Sequence, residues 1–201
     1  VRDGDAVMVG GFGTAGLPTR LIDALADSGR TDLTLISNNL GTPGTGLGRL
    51  LRSGMVRHIV GSFFTRNPEV AEARDKGLIT VDLLPQGTFA EAIRAGGAGI
   101  PAFYTPTGAG TSLALEKETR TFADGRLCVL EHALTAEVAL IGATWADPFG
   151  NLAYRWVASN FNQLMATAAT TVIAEVEASV DRIEPKDVGT PFIYVDVVVT
   201  A

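Results

Sequence analysis

Three neutral amide side chains, Asn38, Asn39 and Gln86, are the residues best suited to chemistry on a carbonyl group. The asparagines follow the apolar run 33–36, and Gln86 follows the run 78–84; both runs are typical of buried strands. Ligands of open parallel sheets bind at the carboxyl ends of the strands. An amide donor at that edge can stabilise an oxyanion without adding charge. For the two asparagines, a plain turn is an equally good interpretation, because Asn favours turns.

A glycine loop, Gly11-Phe12-Gly13-Thr14-Ala15-Gly16, follows the first apolar run, 6–9, and matches the G-x-G-x-x-G fingerprint of dinucleotide-binding proteins. Two features disfavour a dinucleotide. Pro18 moves the start of the next helix beyond the third glycine, and the second strand ends at Ser37 instead of at an acid for the ribose hydroxyls. We interpret the loop as one whose amides face a ligand or a reacting carbonyl. A plain strand-to-helix turn is the alternative.

A second stretch rich in glycine and proline runs from Gly96 to Thr111, shortly after Leu84-Pro85-Gln86-Gly87-Thr88. Its composition disfavours a long helix or a regular strand, because glycine and proline destabilise both. Ile100, Phe103 and Tyr104 supply apolar anchors and disfavour disorder. We therefore expect a rigid, backbone-rich wall of a binding pocket.

The sequence offers no obvious nucleophile. Cys128 lies in an apolar, strand-like run and is best explained as a buried hydrophobic residue. His58 and His132 have no metal-ligand spacing, and Glu131 and Glu137 are single acids near strand ends. We expect no metal site. A pocket with donors but without a nucleophile indicates a binding module or one half of an active site.

Composition narrows the class of protein further. The chain has 201 residues, of which 46% are hydrophobic, enough for one large domain over residues 1–201. Its net charge of −6 argues against nucleic acid as a partner. A single cysteine cannot form an internal disulfide and predicts a reducing, cytoplasmic setting. The sequence has no run of eighteen apolar residues, so we expect no membrane partner.

Strand and helix patterns alternate along the first half of the chain, which predicts an open, mostly parallel α/β sheet with helices on both faces. An Asp124-Gly125 pair predicts a hairpin over 121–127. The predicted helices span 17–28, 47–54, 68–76, 89–95 and 161–170. The other predicted strands span 56–60, 138–142, 152–154, 171–176 and 193–199.

Several short motifs follow one another along nearly the whole chain. They are Val9–Gly13, Leu35–Asn39, Leu84–Thr88, Ile93–Gly99, Phe103–Gly108, Gly150–Arg155 and Asn160–Asn162. With these motifs the chain resembles the alpha subunit of family I coenzyme A transferases, the group that acts on 3-oxoacids. Each glycine loop is a weak signal, whereas their order and spacing together are specific.

The resemblance implies two related open α/β domains that face each other across the active site, on a sheet related to that of sugar-phosphate isomerases. It implies ping-pong chemistry through a glutamyl-CoA thioester, with coenzyme A as the substrate carrier and no bound cofactor. In this family the glutamate belongs to the beta subunit, in a Ser-Glu-Asn-Gly-like motif that this chain lacks. The implied partner is therefore a beta subunit, in an α2β2 assembly.

The same resemblance implies roles for individual residues. Gln86 would be the side-chain oxyanion donor, and Phe103, Tyr104 and Thr105 would form a wall facing the partner subunit. The residues implied to line the oxoacid and thioester region are Gly11, Phe12, Gly13, Thr14, Asn38, Asn39 and Gly87. Two positions depart from the family pattern, since Trp156 and Ser159 stand where Lys and Arg are common.

Succinyl-CoA as donor and acetoacetate as acceptor are the expected substrates, and the 3-oxoadipate and acetate branches are the alternatives within the family. Outside it, a sugar-phosphate isomerase would need its own acid, base and phosphate-binding cations. A non-catalytic nucleotide-binding module conflicts with Asn38 and Asn39 at the end of the second strand. A fragment of a fused two-domain transferase is a further alternative.

Overall fold

The computed structural model describes residues 1–200, which form eleven strands and five α-helices. The strands are β1 Ala6–Val9, β2 Leu33–Ile36, β3 Val56–Gly61, β4 Thr80–Leu83, β5 Ala102–Thr105, β6 Thr119–Thr121, β7 Leu127–His132, β8 Ala136–Ala146, β9 Leu152–Ala153, β10 Ala169–Ser179 and β11 Val197–Thr200. The helices are α1 Thr19–Asp27, α2 Leu47–Arg52, α3 Pro68–Asp75, α4 Gln86–Gly97 and α5 Asn162–Thr167. Ala201, the last residue of the predicted domain, lies outside the described residues.

The main sheet has eight strands in the order β11-β10-β8-β1-β2-β3-β4, with β9 added antiparallel to β8. Every other pairing in this sheet is parallel, so the predicted open α/β sheet is confirmed. Strands are added on one side of β1 up to β4, and the chain then returns to add β8 on the other side. This change of direction creates a switch point at the carboxyl ends of β1 and β8, where ligands of such sheets bind.

Alternate residues of the strands point to opposite faces of the sheet, and each face is covered by its own helices. Val7 and Val9 pack in one core with residues of α1, α2 and α3. Met8 packs in the other core with Phe89 of α4 and Met165 of α5. The predicted placement of helices on both faces is therefore confirmed. All the loops that follow the parallel strands emerge at one edge.

A second, three-stranded antiparallel sheet has the order β5-β7-β6. It contains the predicted hairpin, whose turn includes Gly125 at φ +81°. The expectation that 96–111 holds no regular strand was wrong. Gly96 and Gly97 end helix α4, and Ala102–Thr105 forms strand β5. The prolines at 101 and 106 flank this strand and do not interrupt it, so every residue within β5 keeps its backbone N–H.

The bounds of several other predicted elements differ from the structure; for example, the helix predicted over 161–170 ends at Thr167, because strand β10 begins at Ala169. Helix α4 begins at Gln86, three residues before the predicted start, because Pro85 supplies a turn into the helix and Gly87 is tolerated in the first turn. The end of the chain was predicted as one strand from 193 to 199. Instead, Phe192–Tyr194 forms a 3-10 turn and the strand begins at Val197.

Candidate active site

Gln86, Asn38 and Ser62 meet at the carboxyl edge of the main sheet, each on the segment that follows a different strand. Asn38 Nδ2 donates to Gln86 Oε1 at 2.9 Å and to Ser62 Oγ at 2.8 Å. Ser62 Oγ donates to the same Gln86 Oε1 at 2.6 Å. Because β2, β3 and β4 are parallel neighbours, their carboxyl ends place these three side chains side by side.

The two hydrogen bonds to Gln86 Oε1 determine the orientation of its amide group. An amide oxygen accepts and an amide nitrogen donates, so the side chain is held with Oε1 toward Asn38 and Ser62. Gln86 is exposed, and among residues 1–200 no acceptor is bonded to its Nε2. The amide nitrogen of Gln86 can therefore donate to a ligand. Gln86 is also the first residue of α4, where the helix dipole favours negative charge.

The two asparagines take different positions. Asn38 is only 3% exposed, and its side-chain atoms are bonded to Ser62, Gln86 and Asn39. Asn39 is less buried, and its Oδ1 accepts from the N–H of Gly41 at 2.9 Å, which is an Asx turn. The turn interpretation therefore describes Asn39, and the site interpretation of the pair stays a prediction. Asn38 contacts Gln86 through its side-chain amide.

The glycine loop forms a tight reverse turn in which Phe12 and Ala15 exchange two backbone hydrogen bonds of 3.0 Å each. Gly11 and Gly13 have φ values of +113° and +61°, which favour glycine. Helix α1 begins at Thr19, beyond the third glycine, as predicted from Pro18. In a dinucleotide-binding fold, the helix begins within the glycine motif and its first amides point at the pyrophosphate. Helix α1 begins after the motif, so its first amides do not lie there.

Side chains from the segment 156–162 hold the glycine loop in place. Asn160 Nδ2 donates to the carbonyl of Ala15 at 3.1 Å, and Asn162 Nδ2 donates to that of Gly16 at 2.9 Å. The ring of Phe161 stacks on that of Phe12 at 6.5 Å between centroids. The loop is thus bonded and packed against the start of α5.

Phe103, Tyr104 and Thr105 lie on β5, in the small sheet and not in the Asn38–Gln86 group. The Tyr104 hydroxyl donates to the Glu118 carboxylate, which raises the pKa of the phenol, and its ring packs edge-on against Phe122. Within the 106–111 segment, a Cβ on Gly108 would lie 3.8 Å from Pro85 Cγ. This part of the glycine-rich stretch thus approaches the residue before α4.

Acidic and phenolic groups near the strand ends are occupied by contacts within the protein. Glu131 is buried and accepts two 2.8 Å hydrogen bonds from Lys117 Nζ. Glu137 accepts from the N–H of Ala6 at 2.8 Å. Burial raises the pKa of Tyr154 to about 12, so this phenol stays protonated at neutral pH. Residues 1–200 hold no group of three or more His, Cys, Asp or Glu that could bind a metal ion.

Sequence reasoning missed Ser62 and Arg66, and it named Asn162 only as part of the motif Asn160–Asn162, with no role. Ser62 follows the third strand as Asn38 follows the second, so the same edge rule applied to β3 would have found it. The structure shows why Gly10 is a glycine: a Cβ there would lie 1.7 Å from Asn162 Oδ1. Arg66 lines a cavity between the glycine loop and the loop after β2, and no sequence motif points to it.

The chain belongs to the coenzyme A transferase family, because the sequence model of that family, described as Coenzyme A transferase, matches residues 1–201. By class it is therefore a coenzyme A transferase chain, as the motifs had indicated. Its fold agrees with this class.

Two relatives carry the names of enzyme subunits. One, from Xanthomonas campestris, is the A subunit of a succinyl-CoA:3-ketoacid coenzyme A transferase; it is 50% identical over 198 residues, which is 98% of this chain and 81% of that protein. The other, from Pseudomonas putida, is the A subunit of a 3-oxoadipate CoA-transferase. It is 48% identical over 203 residues, covering 99% of this chain and 87% of that protein.

Among solved structures, an acyl-CoA transferase of E. coli O157:H7 in a thioester complex with CoA has a TM-score of 0.87 and 22% identity. It covers 100% of this chain, which in turn spans 45% of that one, and at this identity the likeness shows the fold. No helix within residues 1–200 combines the length and the apolar character needed to cross a membrane.

Proposed function

We propose that this chain is the alpha subunit of a coenzyme A transferase that moves CoA from succinyl-CoA to a 3-oxoacid, in an α2β2 assembly with a beta subunit. The observation that carries the proposal is the amide of Gln86, held by Asn38 and Ser62 with its nitrogen toward solvent. The two relatives above support it, since their names cover 3-ketoacid and 3-oxoadipate transferases. Coenzyme A is a substrate in this proposal.

The reaction begins when a glutamate that the beta subunit supplies attacks the thioester carbonyl of succinyl-CoA. The C–S bond breaks, CoA leaves as a thiolate and a mixed anhydride remains. The thiolate then attacks the glutamyl carbonyl, which releases succinate and leaves a glutamyl-CoA thioester. The carboxylate of the 3-oxoacid then attacks that thioester, which releases the CoA thiolate and leaves a second mixed anhydride. The thiolate attacks the oxoacyl carbonyl of this anhydride, which forms the 3-oxoacyl-CoA and releases the glutamate.

Each addition in this sequence places negative charge on a former carbonyl oxygen. Gln86 Nε2 donates a hydrogen bond to that oxygen, and the first turn of α4 adds its dipole. Asn38 and Ser62 position the donor: they keep Oε1 occupied, so the amide cannot rotate and present an acceptor to the oxyanion. The glycine loop and Asn39 line the region that the acyl group occupies.

The proposal is tested by measuring CoA transfer from succinyl-CoA to acetoacetate, followed by the absorbance of the enolate product. We expect no activity from this chain alone and activity once it is co-expressed with a beta subunit that carries the glutamate. Robust activity of the chain alone would contradict the assignment of the nucleophile to the partner. With 3-oxoadipate as a second acceptor, absence of transfer to either acid would reject the proposed function.

In the active mixture, Gln86→Ala should lower kcat by about 10²- to 10³-fold, the usual loss for one oxyanion donor. Gln86→Glu keeps the shape of the side chain but replaces the donor with a second acceptor, so it should be at least as damaging. Ser62→Ala should lower kcat by a smaller factor, since Asn38 still holds the amide. Glu91→Gln, on the exposed ion pair of α4 with Arg94, is the matched control and should leave kcat unchanged.

A further inference from the structure

A small cavity opens beside the Gln86 site, between the glycine loop and the loop that follows β2. It has a volume of about 200 Å³, and Asn39 belongs to both the cavity and the Gln86 network. Asn39 Nδ2 donates to Asn38 Oδ1 at 3.1 Å, and Asn38 donates in turn to Gln86. The cavity therefore begins two hydrogen bonds away from the proposed oxyanion donor.

The volume of the cavity favours a small acyl group over a nucleotide. Sites for drug-sized ligands have volumes of about 300–1,000 Å³, well above this one. Buried leucine and isoleucine side chains supply an apolar floor, as at Ile22 and Leu47. The threonines 14, 42 and 45 add hydroxyl groups. Such a lining fits the methylene groups of a short acid.

Arg66 is the only charged side chain among the described residues that line this cavity. No carboxylate of residues 1–200 lies within ion-pair distance of it, whereas Arg49 and Arg52 of the adjacent helix α2 both bind carboxylates. A guanidinium group is always charged and presents donors in a fork that matches a carboxylate. Arg66 is an exposed residue, so its unpaired cation lines the cavity within reach of an anionic ligand group.

Arg66 is also close along the chain to the group formed by Gln86, Asn38 and Ser62. It lies four residues after Ser62, which bonds Gln86, so the two Cα atoms are at most about 14 Å apart. The turn in which the Asn67 N–H donates to the Phe64 carbonyl shortens that span. A short dicarboxylic acid together with the arginine side chain can bridge this distance.

We propose that Arg66 binds the second carboxylate of dicarboxylic acyl groups, the one that does not react, and so favours dicarboxylic over monocarboxylic 3-oxoacids. This inference rests on the proposed function, because it assigns the acyl end of the same site. Succinyl-CoA and 3-oxoadipate carry such a carboxylate. The single carboxylate of acetoacetate is the reacting group and leaves Arg66 without a partner.

The test compares kcat/KM for succinyl-CoA, 3-oxoadipate and acetoacetate in the complex with the beta subunit. In ping-pong kinetics each kcat/KM reports only the half-reaction of its own substrate. Arg66→Gln should lower kcat/KM for succinyl-CoA and 3-oxoadipate by about 10- to 100-fold, the range for a lost charged hydrogen bond. It should leave the value for acetoacetate unchanged, and Arg66→Lys should restore part of the loss.

Arg30→Gln is the matched control, since Arg30 is exposed in the loop before β2, at the opposite edge of the sheet, and should change none of the three values. An equal loss of kcat/KM for all three substrates in Arg66→Gln, or no loss for any, would overturn the inference while the wild-type activity upholds the proposed function. Absence of transfer to both acceptors by the wild-type complex would reject the proposed function and this inference with it.

Discussion

The hydrogen bonds around Gln86 depend on whether the oxygen or the nitrogen of each amide group faces its neighbour. Gln86 Oε1 accepts from two side chains, so the donor nitrogen is the only part of that amide left for a ligand. Asn38 is buried, and its side-chain amide donates to Gln86 and to Ser62. Under the proposed function, Asn38 therefore orients the group that contacts the substrate and does not contact the substrate itself.

Asp147 allows a prediction at the residue scale that concerns stability. Burial raises the pKa of its carboxyl group, but the hydrogen bonds from Asn151 and from the N–H of Phe149 outweigh burial and hold the pKa below its usual value. Asp147→Asn keeps one oxygen for the two backbone N–H groups but turns an NH₂ group toward the donor Asn151 Nδ2. We expect it to lower the free energy of unfolding at pH 7 by about 1–3 kcal/mol.

The loss in the free energy of unfolding caused by Asp147→Asn should depend on pH. A carboxylate with a depressed folded-state pKa stabilises the fold fully above its unfolded pKa of about 3.9, and this contribution is lost as the pH falls through the folded pKa. Urea unfolding at pH 7 and near pH 3 should therefore show the gap to wild type narrowing in acid. Asp181→Asn, at an exposed site, is the control; a gap of constant size would contradict the role given to the carboxylate.

At the scale of elements, one asparagine joins three segments at the switch point. Asn162 Oδ1 accepts from the N–H of Gly142 in β8, and its Nδ2 donates to the carbonyls of Gly16 and Ala158. Gly10, which follows β1, leaves room for this side chain. The glycine loop is therefore shaped as much by α5 and β8 as by its own residues.

Gly10→Ala should destabilise the protein by about 1–3 kcal/mol or more, because the new Cβ would lie 1.7 Å from Asn162 Oδ1. Gly87→Ala is the matched control: its Cβ meets nothing within 4 Å in helix α4, and we expect a gain of about 0.5 kcal/mol. Both are read from urea unfolding midpoints. In an Asn162→Ala background the loss caused by Gly10→Ala should shrink, and an undiminished loss would contradict this contact.

At the scale of the whole molecule, the largest exposed apolar side chain is that of Trp156, on the segment that contacts the glycine loop. Trp156 is 87% exposed and has φ +50°, an unusual value for a bulky residue. Its segment contacts the glycine loop through Asn160. Under the proposed function the beta subunit supplies the nucleophile, so we expect it to approach this same edge. Trp156 then becomes part of the covered surface.

We therefore expect Trp156→Asp to weaken binding of the beta subunit, raising Kd at least about tenfold, as for a central aromatic of an interface. Leu78→Asp is the control: Leu78 is 68% exposed but precedes β4, at the opposite edge of the sheet. Kd is measured by titration of the two purified subunits. Equal effects of the two substitutions would show that Trp156 lies outside the interface.

Much of the architecture follows from local patterns. Apolar runs such as 6–9 and 33–36 predict buried strands because their side chains cover both faces of a parallel sheet. The stripe at Leu21, Ile22 and Leu25 predicts α1, and Pro18 predicts its start. The 96–111 stretch shows where composition misleads. Its glycines and prolines are spread around a four-residue strand that pairs with a distant partner.

The sequence by itself determined the alternation of strands and helices, the family, and the identity of the amide residues at the strand ends. Only the tertiary structure decided that Asn38 is buried beside Gln86, that Ser62 bonds both of them, and that Arg66 lines a neighbouring cavity. Local signals report the chemistry of near neighbours along the chain. The contacts of the site join residues 24 and 48 positions apart, so they depend on which strands are neighbours in the sheet.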